Sequence, residues 1–150
     1  MHVVLFEPEI PPNTGSVARL CAATSTPLHL IEPLGFKIDD KHLKRAGLDY
    51  WEFVELHVHK SWHDFVRDTK AQSLRYFTKR AAQSYTALRY DDGDYLVFGP
   101  ETRGLPSVLL EANQARAYRI PMMGSGVRSL NLSNAVSIVL YEALRQLGKT

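Results

Sequence analysis

The sequence predicts an α/β fold, a mostly parallel sheet flanked by helices. Three observations carry this. Short apolar runs alternate with helical patterns along the chain. The run Tyr95 to Phe98 is apolar without alternation, as a strand covered on both faces should be. At 150 residues, 45% hydrophobic and 23% charged, the chain has the size and composition of one globular domain.

Taken in order, His2 to Phe6 is the first buried strand. Pro11-Pro12 breaks the chain, and Asn13-Thr14 is placed to cap a helix reaching about Thr24. Leu28 to Ile31 is a second strand, ended by Pro33 and Gly35. Asp39 to Ala46 reads as a short basic helix whose first-turn carboxylates suit the helix dipole. Phe53 to Val58 and Leu74 to Thr78 read as strands with a helix near Ser61 to Asp68 between them. Asp92-Gly93 precedes the strand Tyr95 to Phe98, and Pro106 opens a further helix where its missing N–H costs little. Tyr118 to Ile120 is the last strand. In the last helix, Leu132 to Leu147, an apolar stripe of Leu132, Val136, Leu140, Ala143, Leu144 and Leu147 is widened by Ala135, Ile138 and Tyr141. A helix apolar on most sides is covered on most sides, by a core or by a second subunit.

Composition excludes several classes. Disorder, collagen-like repetition and a disulfide scaffold do not fit these figures. The single Cys21 cannot form an internal bridge, which agrees with a cytoplasmic location. The start has no basic leader and only a short apolar run, so no export signal is expected. No stretch approaches the ~18 apolar residues of a membrane span. With 18 Lys plus Arg against 16 Asp plus Glu, any nucleic-acid contact must come from a local patch.

Ligands of open α/β sheets bind beyond the carboxyl ends of strands. Three loops there combine glycine, small polar residues and an arginine: Asn13 to Arg19, Phe98 to Pro106, and Ile120 to Asn134. Glycine at a strand end lets a ligand approach the backbone, whose N–H and C=O groups can read an adenine edge. Each loop alone also fits ordinary turns, caps and surface pairs. Walker A and nucleophile-elbow motifs do not occur, and Gly124-x-Gly126-x-x-Ser129 lacks the third glycine of a dinucleotide fingerprint. His57, His59 and His63 have only Asp64 nearby to complete a metal set, and a solvated strand end accounts for them better.

Together the loops resemble the three motifs of the SPOUT class of RNA methyltransferases, over nearly the whole chain. The resemblance is closest to the small bacterial tRNA 2′-O-methyltransferases acting on the wobble cytidine or modified uridine of leucine tRNAs. It is carried by Phe6 to Gly15, Arg45 to Tyr50, Phe98 to Pro106 and Arg128 to Val136. The segment Met123 to Val127 departs from it in being richer in glycine. The resemblance implies one SPOUT methyltransferase domain over residues 1–150, a deep C-terminal trefoil knot and no appended RNA-binding domain. Chain-threading rules alone argue against knots, so that feature rests on the resemblance.

The resemblance also implies S-adenosylmethionine as methyl donor, S-adenosylhomocysteine as product, and contacts to the donor from Phe77, Thr78, Gly99, Ile120, Ser129 and Leu130. The donor is an activated sulfonium, so the chemistry calls for no metal. Arg19 is placed at the catalytic task, with Asn13 orienting it and Glu101 fixing the loop. A free arginine, with a pKa of about 12.5–13.8, is a poor base. Its role is therefore to hold a phosphate and stabilise developing alkoxide charge. Asn131, Ser133 and Asn134 either cap the last helix or line the pocket, with Arg128 near an RNA phosphate. Lys37, Lys41, His42, Lys44 and Arg45 form a basic cluster that could meet the phosphates of an anticodon stem-loop, although such a run is more often a solvated helix face. Tyr50 and Trp51 either stack on an unpaired base or belong to the core. A homodimer would double the basic surface and complete each pocket.

The expected function is ribose 2′-O-methylation of tRNA. Ribosomal RNA as the substrate, a non-methylating nucleotide-binding module and a structural RNA-binding protein are the alternatives.

Overall fold

A computed structural model describes residues 1–39, 41 and 50–150. Seven strands form one sheet: β1 (His2–Phe6), β2 (Leu28–Ile31), β3 (Leu56–His59), β4 (Leu74–Phe77), β5 (Gln83–Ser84), β6 (Tyr95–Phe98) and β7 (Ala117–Arg119). Their order is β3-β2-β1-β6-β4-β7-β5, and every pairing is parallel. Among the described residues the helices are α1 (Pro11–Ala23), α2 (Trp62–Thr69), α3 (Ser107–Glu111) and α4 (Leu132–Gln146). The predicted mostly parallel sheet flanked by helices is the observed one.

Period-two alternation sorts the strands' side chains to two faces. Val3, Leu5, Leu28, Leu30, Leu96 and Phe98 point to a core that also holds Val17, Ala18 and Cys21 of α1. Val136, Val139, Leu140, Ala143 and Leu144 of α4 complete it. On the other face, Val4, Phe6, Ile31, Tyr76 and Val97 meet Phe65 of α2 and Leu110 of α3. Because both faces are covered, β6 and, from Val3 on, β1 read as unbroken apolar runs, and β2 is broken only by His29. Burial pushes the Cys21 thiol up to about 12, which makes it a packing residue and not a reactive one.

Three boundaries differ from expectation. Helix α1 starts at Pro11, because two prolines suit the first helical positions, where no intrahelical N–H bond is lost. Asn13 and Thr14 are therefore inside the helix and buried, not at its cap. The strand expected from Phe53 begins only at Leu56, since Trp51–Phe53 turns as a short 3-10 helix. The last strand lies one residue earlier than expected, at Ala117–Arg119. Most of the expected helix over 39–46, with His42, Lys44 and Arg45, and the motif segment Arg45 to Asp49 lie outside the described residues, with Asp39 and Lys41 inside them.

Candidate active site at the strand ends

Strands β6, β4 and β7 are adjacent and parallel, so Gly99, Thr78 and Ile120 leave the same edge of the sheet side by side. Parallel neighbours lie about 4.8 Å apart, which places Gly99 and Ile120 about 10 Å apart with Thr78 between them. The Thr78 N–H donates to the Tyr118 carbonyl (2.9 Å), holding the exits of β4 and β7 together. Beneath this edge Phe77 stacks on Phe98, centroids 4.9 Å apart, and both rings are buried. Phe77 thus forms a floor, and only its main chain reaches the edge.

Side-chain bonds join the three glycine-bearing loops. The Glu101 carboxylate accepts from the Glu9 N–H (2.8 Å), the Ile10 N–H (3.1 Å) and the Asn13 side-chain amide (3.3 Å). Ile10 is the cap residue of α1, and Glu101 holds its N–H and that of Glu9 from a loop about ninety residues away, fixing the chain where it enters the helix. The Asn13 Oδ1 in turn accepts from the Asn131 amide (2.9 Å). Asn131 Oδ1 also accepts from the Ser133 N–H (2.9 Å), which caps α4. The sequence Glu101–Asn13–Asn131 therefore clamps the second loop to the first and the first to the third. Thr102 donates to the Glu9 carboxylate, and Arg103 pairs with Glu7, reinforcing the first of these joints.

The second loop folds back on itself tightly. A Cβ on Gly99 would collide with the Leu105 nitrogen and the Gly104 carbonyl carbon, so only glycine fits there. Gly104 itself takes a φ of +69°.

The third loop is different in kind. Among the described residues, no backbone–backbone hydrogen bond outside helices and strands involves residues 121–130. The side chains of Ser129 and Leu130 are exposed, and positions 124 and 126 have open space where a Cβ would stand. A stretch of unpaired N–H and C=O groups beside three strand exits is what a ligand gripped through main-chain atoms requires. These residues therefore fit S-adenosylmethionine.

Arg19 sits apart from the clamp. Six residues of helix separate it from Asn13, a rise of about 9 Å. It is exposed, and its guanidinium lies over the Tyr50 ring, 4.7 Å from the centroid. Asn13 binds Glu101 and Asn131, so the expectation that Asn13 orients Arg19 gives way to a clamp between loops. Glu101 does fix the loop. Arg128 is exposed, and its carbonyl accepts from Lys79 (3.4 Å), while Lys41 is also exposed. The Asn131 clamp had a partial sequence signal in its capping position; nothing local signals its pairing with Asn13, 118 residues away.

His57, His59 and His63 do not gather into a metal site: among the described residues no group of three or more metal-binding side chains is so placed. No described helix is long and apolar enough to cross a membrane. Helix α4 is a core helix along most of its surface, with Ile138 and Tyr141 left exposed on one edge.

Known proteins match this architecture along its length. The profile of the SpoU rRNA Methylase family matches residues 1–141. A tRNA (cytidine(34)-2'-O)-methyltransferase of Escherichia coli (strain K12) is 54% identical over 149 residues, covering 99% of this chain and 94% of that protein. A solved structure described as giving structural insights into the 2-OH methylation of C/U34 on tRNA superimposes with a TM-score of 0.89. It is 49% identical and covers 99% of this chain and 97% of its own. An AdoMet-bound rRNA methyltransferase from Sinorhizobium meliloti aligns with a TM-score of 0.80 at 26% identity, over 97% of this chain and 56% of that one. With parallel strand ends, clamped loops and these matches in agreement, the chain belongs to the SpoU methylase family.

Proposed function

We propose that this protein transfers a methyl group from S-adenosylmethionine to the ribose 2′-oxygen of the wobble nucleotide of tRNA, cytidine or modified uridine, with leucine tRNAs as substrates. The observation that carries the reading is the Glu101–Asn13–Asn131 clamp, which brings three loops to one sheet edge beside unpaired main chain. Identity of 54% over nearly full length to a tRNA-modifying relative supports tRNA over ribosomal RNA.

The donor, when bound, supplies a methyl group already activated on a sulfonium. The protein supplies position and charge. Thr78, Gly99, Ile120, Ser129 and Leu130 hold the donor through main-chain atoms, and the stacked Phe77 and Phe98 keep the floor rigid and dry. Arg19, too basic to accept the 2′-hydroxyl proton, stabilises the oxyanion as the proton leaves to a neighbouring group or water. Arg128, Lys41, Lys44 and Arg45 bind phosphates of the anticodon stem-loop.

Arg19 is about 9 Å along α1 from the clamp, which supports a homodimer in which each Arg19 serves the other chain's pocket. The exposed edge of α4 at Ile138 and Tyr141 offers apolar surface for that contact. The deep trefoil knot belongs to this reading through membership of the SpoU methylase family. A SPOUT methyltransferase domain over residues 1–150, acting in the cytoplasm, completes the reading.

The test is methyl incorporation from labelled donor into tRNA, with S-adenosylhomocysteine affinity measured separately. Arg19→Ala is expected to lose about 10²–10³-fold in turnover while product affinity stays within about twofold. Near-normal turnover would remove Arg19 from the mechanism.

A further inference from the structure

Lys79 and Arg80 follow β4 directly, next to Thr78. Arg80 is exposed but held. Its guanidinium donates to the Leu105 carbonyl (2.9 Å) and to Ser107 Oγ (3.2 Å), and its own N–H donates to Thr78 Oγ1 (3.3 Å). These acceptors are neutral. Arg67, Arg75, Arg103 and Arg145 each pair with a carboxylate, whereas Arg80 has no carboxylate partner among the described residues. Two of a guanidinium's five N–H groups are thus engaged in fixing the fork, with its charge left uncompensated.

Arg80 lines a cleft of about 430 Å³ together with Phe6, Glu7, Arg103, Gly104 and Ser107. The Glu7 carboxylate there is already bound by Arg103, so the cleft carries one net positive charge. The cleft lies beside the strand-end edge, since Phe6 ends β1 and Gly104 belongs to the clamped second loop. Lys79 reaches the opposite way, to the Arg128 carbonyl of the third loop. Consecutive residues therefore brace the loops on either side of the proposed donor site.

The geometry points to an anion subsite at Arg80 that receives a phosphodiester of the RNA flanking the methylated ribose. A rigid, planar, uncompensated guanidinium suits bidentate phosphate binding better than a mobile surface charge does. This rests on the methyltransferase reading above. The carboxylate of the methyl donor presents the same chemistry, so the experiment separates the two sources.

Binding of unfractionated tRNA is measured against salt concentration for the wild type, Arg80→Ala and Ser107→Ala, alongside S-adenosylhomocysteine affinity and thermal midpoint. Arg80→Ala should weaken tRNA binding roughly tenfold at low salt and reduce the log–log salt slope by about 0.7–0.9. Its product affinity should stay within about twofold. Ser107→Ala, which keeps the charge, should leave the salt slope unchanged. Unchanged tRNA affinity and slope in Arg80→Ala overturn the subsite. So does a parallel loss of product affinity, which would make Arg80 a donor contact or a strut between loops. The readout is binding, so it holds whether or not the wild type methylates tRNA. Absence of methyl transfer by the wild type would count against the proposed function alone.

Discussion

On the β3–β2–β1 half of the sheet, polar side chains satisfy one another inside the fold. His2 Nδ1 bonds His29 Nε2 (3.1 Å), His29 Nδ1 bonds His59 Nε2 (3.0 Å), and His57 stacks on His29 with centroids 4.7 Å apart. Phe65 and Tyr95 seal this imidazole chain, and His29 is only 3% exposed. On the β6–β4–β7 half most strand residues are buried, but among the described residues the loop after β7 makes no backbone–backbone hydrogen bond over residues 121–130, and its Arg128 carbonyl is held by the Lys79 side chain. A buried polar group must be paired within the protein, so the first half is architecture. Unpaired backbone held at a rigid edge is available to a ligand, so the second half is the site. The histidines, residues usually associated with chemistry, lie in the inert half.

The largest effect that would sharpen this contrast is on pH dependence. Burial, with the neighbouring imidazoles adding to it, holds the His29 pKa down at about 3, and burial also lowers those of His2 and His59. In the unfolded chain a histidine titrates near 6.5. Between about pH 6.5 and 3 the unfolded state therefore binds the extra proton. Stability is fully present above this window and is lost as pH falls through it, by up to about 1.4 kcal/mol per pH unit for His29. Urea unfolding at about pH 7 and about pH 5 should show the drop, and His29→Phe should make it shallower. Equal midpoints at both pH values would dissolve the imidazole chain as a structural unit.

Breaking the clamp comes next. Glu101→Ala removes the acceptor for two backbone N–H groups and Asn13, at about 2 kcal/mol, and should weaken S-adenosylhomocysteine binding as the second loop parts from the first. Glu101→Gln keeps an acceptor oxygen and should recover part of both. A thermal midpoint and product affinity unchanged in Glu101→Ala would refute the clamp.

The smallest effect separates capping from clamping. Asn131→Ala should cost about 1 kcal/mol through the lost cap of α4. Asn131→Ser restores a capping oxygen but has no amide to give Asn13, so it should regain stability without regaining product affinity. Calorimetry beside a binding titration decides it; full recovery of both by serine would leave the Asn13 contact without a role.

Much of the scaffold was readable because local rules governed it. Apolar runs, continuous in β6 and from Val3 on in β1 and interrupted by His29 in β2, marked these strands, and Ser61 marked the start of α2, where its hydroxyl accepts from the Asp64 N–H. Strand β5 was missed because Gln83-Ser84 is two polar residues with no period to detect. The strand ends and their loops were legible from glycine placement. The clamp was not, because Glu101 reaches Asn13 across 88 residues and Asn131 reaches it across 118. Taking Asn13 for a cap was the consequence: a short amide side chain fits a helix entry by rule, and only the fold shows that it lies within the helix and bonds Glu101 and Asn131. Arg80 was passed over for a similar reason, since a lone cation after a strand acquires meaning only from the neutral oxygens that hold it.

The strand order also bears on how the chain is made. Strand β4 is hydrogen-bonded only to β6 and β7, both of which follow it in sequence. A growing polypeptide that has passed residue 77 therefore carries a strand with no place yet to dock, while one edge of β1 waits open for the segment that will separate them. Productive assembly is deferred until Tyr95–Phe98 emerges, and a chain cut short before that point would present two bare edges to its neighbours.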